Sequence, residues 1–114
     1  MTTAAEIWSA MDLKLIAILR GIQPEETRGV VESLLEEGFR AIEIPLNSPR
    51  PLKSIEIAVQ AAEHHPHALV GAGTVLDQAQ VRELSDVGAN LVVSPNVDAS
   101  VATPALSLGM ATFP

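Results

Sequence analysis

Residues 15–44 read LIAILRGIQPEETRGVVESLLEEGFRAIEI, and this stretch decides the fold. It begins and ends with short apolar runs, residues 15–19 and 41–44, whose branched side chains are typical of buried strands. Between the runs, Pro24 begins a helix pattern that Gly38 ends. The stretch therefore predicts a strand–helix–strand unit whose two strands lie parallel in one sheet.

The same unit recurs along the rest of the chain. The remaining apolar runs are residues 69–72, residues 91–93 and a segment that starts at residue 110. The helix patterns that alternate with them cover residues 51–63, 77–88 and 98–109. Pro104 lies inside the last pattern, which predicts a helix that is short, late-starting or kinked. A weak helix pattern, residues 4–11, precedes the first strand, and the runs lack polar alternation, so we expect strands buried on both faces.

Two architectures accept such units. An open doubly wound sheet is complete with five strands, whereas a (β/α)8 TIM barrel typically needs about 250 residues. The loop after the first strand carries a single glycine, Gly21, and the pair Gly71 and Gly73 has no third glycine at the dinucleotide-binding spacing. The sequence therefore favours the α/β barrel family, with 114 residues holding the first four βα units and the start of strand five.

Composition excludes several classes of function. The chain has 7 Lys and Arg against 14 Asp and Glu, a net charge of −7, which argues against binding to nucleic acid or to an anionic membrane surface. It has no cysteine, which excludes a disulfide scaffold, a thiolate nucleophile and a Cys-ligated metal. The N-terminus has no signal-peptide pattern, and no apolar run approaches a membrane span. We therefore expect a soluble protein of the cytoplasm.

Polar residues gather at the carboxyl ends of the predicted strands, where a barrel carries its chemistry. They are Arg20, Glu43, Asn47, Thr74 and the segment 94–96. Glu43 lies between two isoleucines in a buried run, where desolvation of the anion raises a carboxyl pKa. A carboxyl with a raised pKa suits general acid–base catalysis, and the alternative is a structural glutamate paired with a cation.

The other strand-end residues also allow two interpretations each. Arg20 can hold a substrate phosphate or carboxylate through two hydrogen bonds, or it can pair with Glu43 or a surface acid. Thr74, beside Gly73, offers a hydroxyl and backbone N–H groups to a carboxylate, or it is a turn residue. The three histidines of residues 64–67 end a helix pattern and indicate a solvated helix end rather than a metal site.

Four ordered segments resemble the KDPG/KHG aldolase family. They are residues 16–21 (IAILRG), 38–49 (GFRAIEIPLNSP), 70–76 (VGAGTVL) and 93–96 (VSPN). The resemblance implies a (β/α)8 barrel, commonly a homotrimer, and a class I aldolase that needs no metal or other cofactor. Its substrates are small phosphorylated 2-keto-3-deoxy sugar acids, which it cleaves to pyruvate and glyceraldehyde 3-phosphate. Residues 43–49 look most like the phosphogalactonate branch, and the phosphogluconate and 4-hydroxy-2-oxoglutarate branches are the alternatives.

The resemblance also implies roles for single residues. Glu43 matches the family's acid–base glutamate, and Arg20 matches the strand-one arginine that contacts substrate. Thr74 matches the strand-three threonine near the pyruvate carboxylate, and Pro95 matches a proline that lines the pocket. Asn47 occupies a position that differs between branches, where the phosphogluconate enzymes usually carry an arginine. A substrate contact is expected there.

The family's Schiff-base lysine has no counterpart in this sequence. In the family it ends strand six, whereas this sequence ends at Pro114, and its two lysines, Lys14 and Lys53, match other positions. We therefore expect residues 1–114 to be the N-terminal half of one barrel domain, with the proton-transfer half of a site and no aldolase activity alone. The alternatives are a non-catalytic truncated barrel or assembly module, and a fragment that pairs with a second copy.

Overall fold

Five strands alternate with five helices in the computed structural model, which describes residues 2–114. In chain order the elements are α1 Ala4–Ala10, β1 Ile16–Ile18, α2 Pro24–Glu36, β2 Ala41–Pro45, α3 Pro51–Ala61, β3 Leu69–Gly73, α4 Gln78–Asp86, β4 Leu91–Val93, α5 Ala99–Ser107 and β5 Ala111–Phe113. Every predicted strand and helix is present, and the ends differ from the predicted ones by at most two residues.

The strands form one parallel sheet in the order β1-β2-β3-β4-β5. Each strand therefore pairs with the next one along the chain, and all carboxyl ends lie at the same edge of the sheet. A doubly wound sheet reverses its strand order at a switch point. This sheet has no such reversal within the described residues, so the predicted barrel-type winding is confirmed.

Two apolar layers cover the two faces of the sheet. The larger layer packs α2, α3, α4 and α5 against strand residues such as Ile42 and Ile44. The smaller layer packs Ile7 and Met11 of the α1 region against the first residues of four strands, which are Ala41, Leu69, Leu91 and Ala111. Because α1 lies over the strand beginnings, it leaves the carboxyl edge to the loops.

Local signals explain how the helices begin and end. Gly38, with φ 102°, follows α2 in the left-handed conformation that favours glycine. Asp77 precedes α4, and its side chain accepts a hydrogen bond from the Gln80 N–H at 2.9 Å. Of the three alternatives that Pro104 left open, the late start is wrong, because α5 begins directly after its N-cap residue Asp98. None of the helices in residues 2–114 combines the length and apolar character that crossing a membrane requires.

The first and last strands of the sheet are less buried than the expectation of strands buried on both faces. β2 and β3 are buried along their whole length, as predicted. In β1, however, the Ile18 side chain is 61% exposed. Within residues 2–114, β1 pairs only with β2, so one of its sides has no neighbouring strand. β1 and β5 are therefore the edge strands of the sheet within these residues.

Candidate functional site

Glu43 lies in the middle of β2 and is only 3% exposed. Among residues 2–114, its Oε2 atom has no hydrogen-bond partner. Burial raises the pKa of this carboxyl, and the positive charge of Arg20 offsets part of the rise. Within residues 2–114 no salt bridge pairs Glu43 with a cation, so the alternative of a structural glutamate paired with a cation finds no support there. A role of Glu43 in proton transfer stays a prediction.

Gly73 makes the space that the Glu43 carboxyl occupies. A Cβ atom built on Gly73 would overlap the carboxyl oxygen Oε2 and would lie 2.5 Å from Cδ. The carboxyl group therefore rests against the bare backbone of β3 at the strand's carboxyl end. The sequence analysis missed this role, although glycine inside a strand is a known signal of close approach.

Thr74 follows Gly73 in an unfavourable backbone conformation. Its φ is 55°, in the left-handed region that β-branched residues rarely adopt. Two hydrogen bonds hold the surrounding backbone: the Leu46 N–H donates to the Gly73 carbonyl at 2.9 Å, and the Val75 N–H donates to the Val93 carbonyl at 3.2 Å. Strain fixed in this way is concentrated at binding and catalytic sites.

Arg20 lies in the loop after β1 and is exposed. Its Nη1 atom donates a hydrogen bond to Asn47 Oδ1 at 2.8 Å. The predicted alternative of an ion pair with Glu43 or a surface acid is therefore not what the structure shows. Arg20 is close enough to lower the pKa of Glu43 while its hydrogen bond goes to a neutral amide.

No hydrogen bond within residues 2–114 joins Pro95 to the other predicted site residues. It is exposed in the loop after β4, beside Ser94, whose N–H donates to the Phe113 carbonyl at 3.0 Å. The parallel direction of β4 puts Pro95 at the same edge as Glu43. The structure thus joins Arg20 to Asn47 by a hydrogen bond and brings the charge of Arg20 near enough to lower the pKa of Glu43. Thr74 adjoins Glu43 through Gly73.

The two lysines of the chain lie elsewhere. The Lys14 ammonium donates to the Ser9 carbonyl at 3.2 Å and to the Met11 carbonyl at 2.8 Å, so it closes the end of α1 near the strand beginnings. Lys53 lies on α3 and pairs with Glu56 at 3.3 Å. Neither amine forms a hydrogen bond or ion pair with Glu43.

The raised pKa of Glu43 predicts how stability depends on pH. A carboxyl whose pKa is higher in the folded chain binds more protons when folded, so the free energy of unfolding falls as pH rises from the unfolded pKa through the folded pKa. An amide at this position does not ionise. Glu43→Gln is therefore expected to raise the free energy of unfolding at neutral pH, and the gain should shrink on acidification through that interval.

Urea titrations of wild type and Glu43→Gln across that pH range measure this difference. Glu36→Gln, an exposed change on α2, is the matched control and should show no such pH-dependent gain. If Glu43→Gln raises the free energy of unfolding by the same amount at every pH, a raised pKa of Glu43 is not the cause of the gain.

Three comparisons relate the chain to known proteins. The sequence profile of the KDPG and KHG aldolase family matches residues 8–114. The probable 2-dehydro-3-deoxy-6-phosphogalactonate aldolase of Rhizobium meliloti is 58% identical over 104 residues, which are 91% of this chain and 48% of the relative. The 2-dehydro-3-deoxy-6-phosphogalactonate aldolase of Escherichia coli is 46% identical over 102 residues, which are 90% of this chain and 49% of the relative.

The fold is shared as well. A solved structure described as native KDPGal superposes with a TM-score of 0.84 at 45% identity, over 90% of this chain and 48% of the other. Such neighbours are (β/α)8 barrels, which agrees with the predicted fold class. The chain spans about half the length of the relatives it matches.

Proposed function

Because the chain belongs to the KDPG and KHG aldolase family, we propose that it forms the proton-transfer part of a class I aldolase. The proposed substrate is 2-dehydro-3-deoxy-6-phosphogalactonate, and the products are pyruvate and glyceraldehyde 3-phosphate. The observation that carries the proposal is the buried Glu43 carboxyl, unpartnered at Oε2 and set against Gly73 at the carboxyl edge of the sheet. The names of the similar relatives support the substrate.

Glu43 moves protons in the proposed reaction. A lysine outside residues 1–114 adds to the substrate ketone, and Glu43 protonates the carbinolamine oxygen, which leaves as water to give an iminium ion. The carbon–carbon bond then breaks, and its electron pair moves into the iminium to form an enamine. The Glu43 carboxylate takes the proton of the hydroxyl on the departing carbon, and that carbon becomes the aldehyde carbon of glyceraldehyde 3-phosphate. Protonation and hydrolysis of the enamine release pyruvate and the lysine.

Arg20 and Thr74 bind the anionic parts of the substrate in this proposal. The guanidinium of Arg20 keeps donors free beyond its hydrogen bond to Asn47, and it suits a carboxylate or phosphate. Thr74, at the strained turn that follows Gly73, is proposed to donate a hydrogen bond from its hydroxyl to the carboxylate of the pyruvyl portion. Pro95 lines the pocket from the loop after β4.

The chain is proposed to supply the first half of a single (β/α)8 barrel domain. Its five strands follow one another in sequence order, and the solved neighbour is about twice as long. The remaining strands would carry the Schiff-base lysine and the phosphate site, and the complete barrel would assemble as a homotrimer. The second candidate is a non-catalytic assembly module, which is favoured by the absence of any hydrogen bond or ion pair between Glu43 and either Lys14 or Lys53 in residues 2–114.

Trapping with pyruvate and borohydride tests where the nucleophile lies. The isolated chain is expected to keep its unmodified mass, 12.0 kDa, because Lys14 is bonded to carbonyls at the end of α1 and Lys53 is exposed on α3, where it pairs with Glu56. A chimera in which residues 1–114 replace the matched half of the Escherichia coli relative is expected to gain one pyruvyl adduct and to cleave 2-dehydro-3-deoxy-6-phosphogalactonate. Intact mass and a pyruvate-release assay measure the two results.

The outcomes separate the candidates. An adduct on the isolated chain would show that Lys14 or Lys53 reacts, and the proposed division of the site would be wrong. A folded chimera that gains the adduct but cleaves nothing would favour the assembly module. Faster cleavage of the phosphogluconate substrate than of the phosphogalactonate one would favour the alternative branch.

A further inference from the structure

The loops after β1 and β2 are joined by two adjacent hydrogen bonds. Arg20 Nη1 donates to Asn47 Oδ1 at 2.8 Å, and the Gly21 N–H donates to Ser48 Oγ at 3.0 Å. Ser48 is only 6% exposed, so its hydroxyl is a fixed acceptor. Gly21 has φ 81°, a left-handed conformation that favours glycine. Two consecutive residues of one loop are thus tied to two consecutive residues of the other.

The loop after β2 is a stiff support for Asn47. Prolines stand at positions 45, 49 and 51, and each fixes its own φ. The Ser48 N–H donates to the Pro45 carbonyl at 3.0 Å, which closes a tight turn around Asn47. Arg50 pairs with Glu25 at the start of α2 at 2.6 Å, so the loop is tied to the α2 side a second time.

The neutral amide of Asn47 orients Arg20 without cancelling its charge. An arginine side chain loses rotamer entropy when it is ordered, so an exposed arginine rarely keeps one position without a partner. The Asn47 oxygen accepts from one of the five donors of the guanidinium and leaves four. A carboxylate at the same place would form an ion pair and weaken the attraction of Arg20 for other anions.

The Leu19 N–H donates to the Glu43 carbonyl at 2.9 Å, so the loop that starts with Arg20 begins beside Glu43. We propose that Asn47 is a positioning residue that holds the Arg20 guanidinium beside the Glu43 carboxyl, and that Ser48 fixes the loop that carries Asn47. This replaces the expected substrate contact of Asn47 by an action through Arg20. The identity of the anion that Arg20 then binds rests on the proposed function, whereas the placement of Arg20 does not.

Titration of Glu43 in a chain of residues 1–114 tests the placement of Arg20. Carboxyl ¹³C shifts in chains labelled at glutamate report the pKa, and Glu43→Gln identifies the signal. Because the charge of Arg20 lowers the pKa of Glu43, Arg20→Gln is expected to raise it. Asn47→Ala should raise it in the same direction, and the double variant should match Arg20→Gln alone. Gln60→Ala, an exposed amide change on α3, should have no effect.

Kinetics of the chimera give a second readout. Asn47→Ala removes one hydrogen bond that orients Arg20. Loss of such a bond, about 0.5–1.5 kcal/mol, corresponds to a rise of about two- to tenfold in the KM for 2-dehydro-3-deoxy-6-phosphogalactonate. We expect a smaller change in kcat. Asn47→Asp should also raise KM, because the added carboxylate competes with the substrate for Arg20.

Several results would overturn the proposal. An unchanged Glu43 pKa in Asn47→Ala, beside a shifted one in Arg20→Gln, would show that Asn47 does not place Arg20. An unchanged pKa in Arg20→Gln, or shifts that add in the double variant, would contradict it equally. If the titrations behave as expected but the unmodified chimera is inactive, the proposed function fails while the placement of Arg20 stands.

Discussion

Glu43→Gln in the chimera is expected to lower kcat for cleavage of the phosphogalactonate substrate by a factor of about 10² to 10⁴, the range that general acid–base groups contribute. The amide has nearly the shape of the carboxyl, so it fits the space against Gly73. It cannot take the hydroxyl proton or protonate the carbinolamine oxygen. The chemical steps are lost while the fold is kept.

Steady-state pyruvate release measures kcat, and thermal unfolding checks that the variant is folded. Borohydride trapping should also slow, because the same carboxyl helps to expel water when the iminium forms. The exposed change Glu36→Gln is the matched control and should retain wild-type rates. Wild-type rates in a folded Glu43→Gln chimera would remove Glu43 from the mechanism.

Gly71→Ala is expected to destabilise the chain by about 3 kcal/mol, the upper end of the usual cost of overpacking. A Cβ atom at this position would overlap the Leu91 carbonyl oxygen and would lie 2.6 Å from the carbonyl carbon. These are backbone atoms of the neighbouring strand, so no change of side-chain rotamer relieves the overlap. Gly71 is paired with Leu91 in the register of β3 and β4, and the two strands would have to separate.

Urea denaturation of the isolated chain measures this loss. Gly29→Ala is the matched control, because Gly29 lies exposed in α2 and a Cβ built there meets nothing within 4 Å. That change should increase the free energy of unfolding by about 0.5–1 kcal/mol through helix propensity. Equal effects of the two substitutions would contradict the backbone overlap.

The elements of this fold are predictable from the sequence because their signals are local. Pro24 and Gly38 bound α2, and Asp77 begins α4, as the capping pattern predicts. Parallel order follows from the alternation of strands and helices. The exposure of Ile18 was not predicted, because an apolar run has the same composition whether its strand has one neighbour or two.

The candidate site is predictable only in part. Glu43 is visible because a charge interrupts an apolar run, and burial with a raised pKa agrees with that interpretation. Its contact with Gly73 joins two strands, and the hydrogen bond from Arg20 to Asn47 joins two loops that are 27 positions apart. Thr74 has a left-handed backbone conformation although it is not a glycine, so its residue type does not reveal that conformation. Such features depend on register and loop geometry, which local patterns do not encode.

The packing of α1 gives the chain a built-in optical reporter. Trp8, the only tryptophan of the sequence, meets Phe113 of β5 edge to face, with ring centroids 4.7 Å apart. The contact joins the first helix to the last strand, and so closes a loop that contains nearly the whole chain. Tryptophan emission therefore reports on this contact, and a change in the emission is expected when α1 and β5 separate during unfolding.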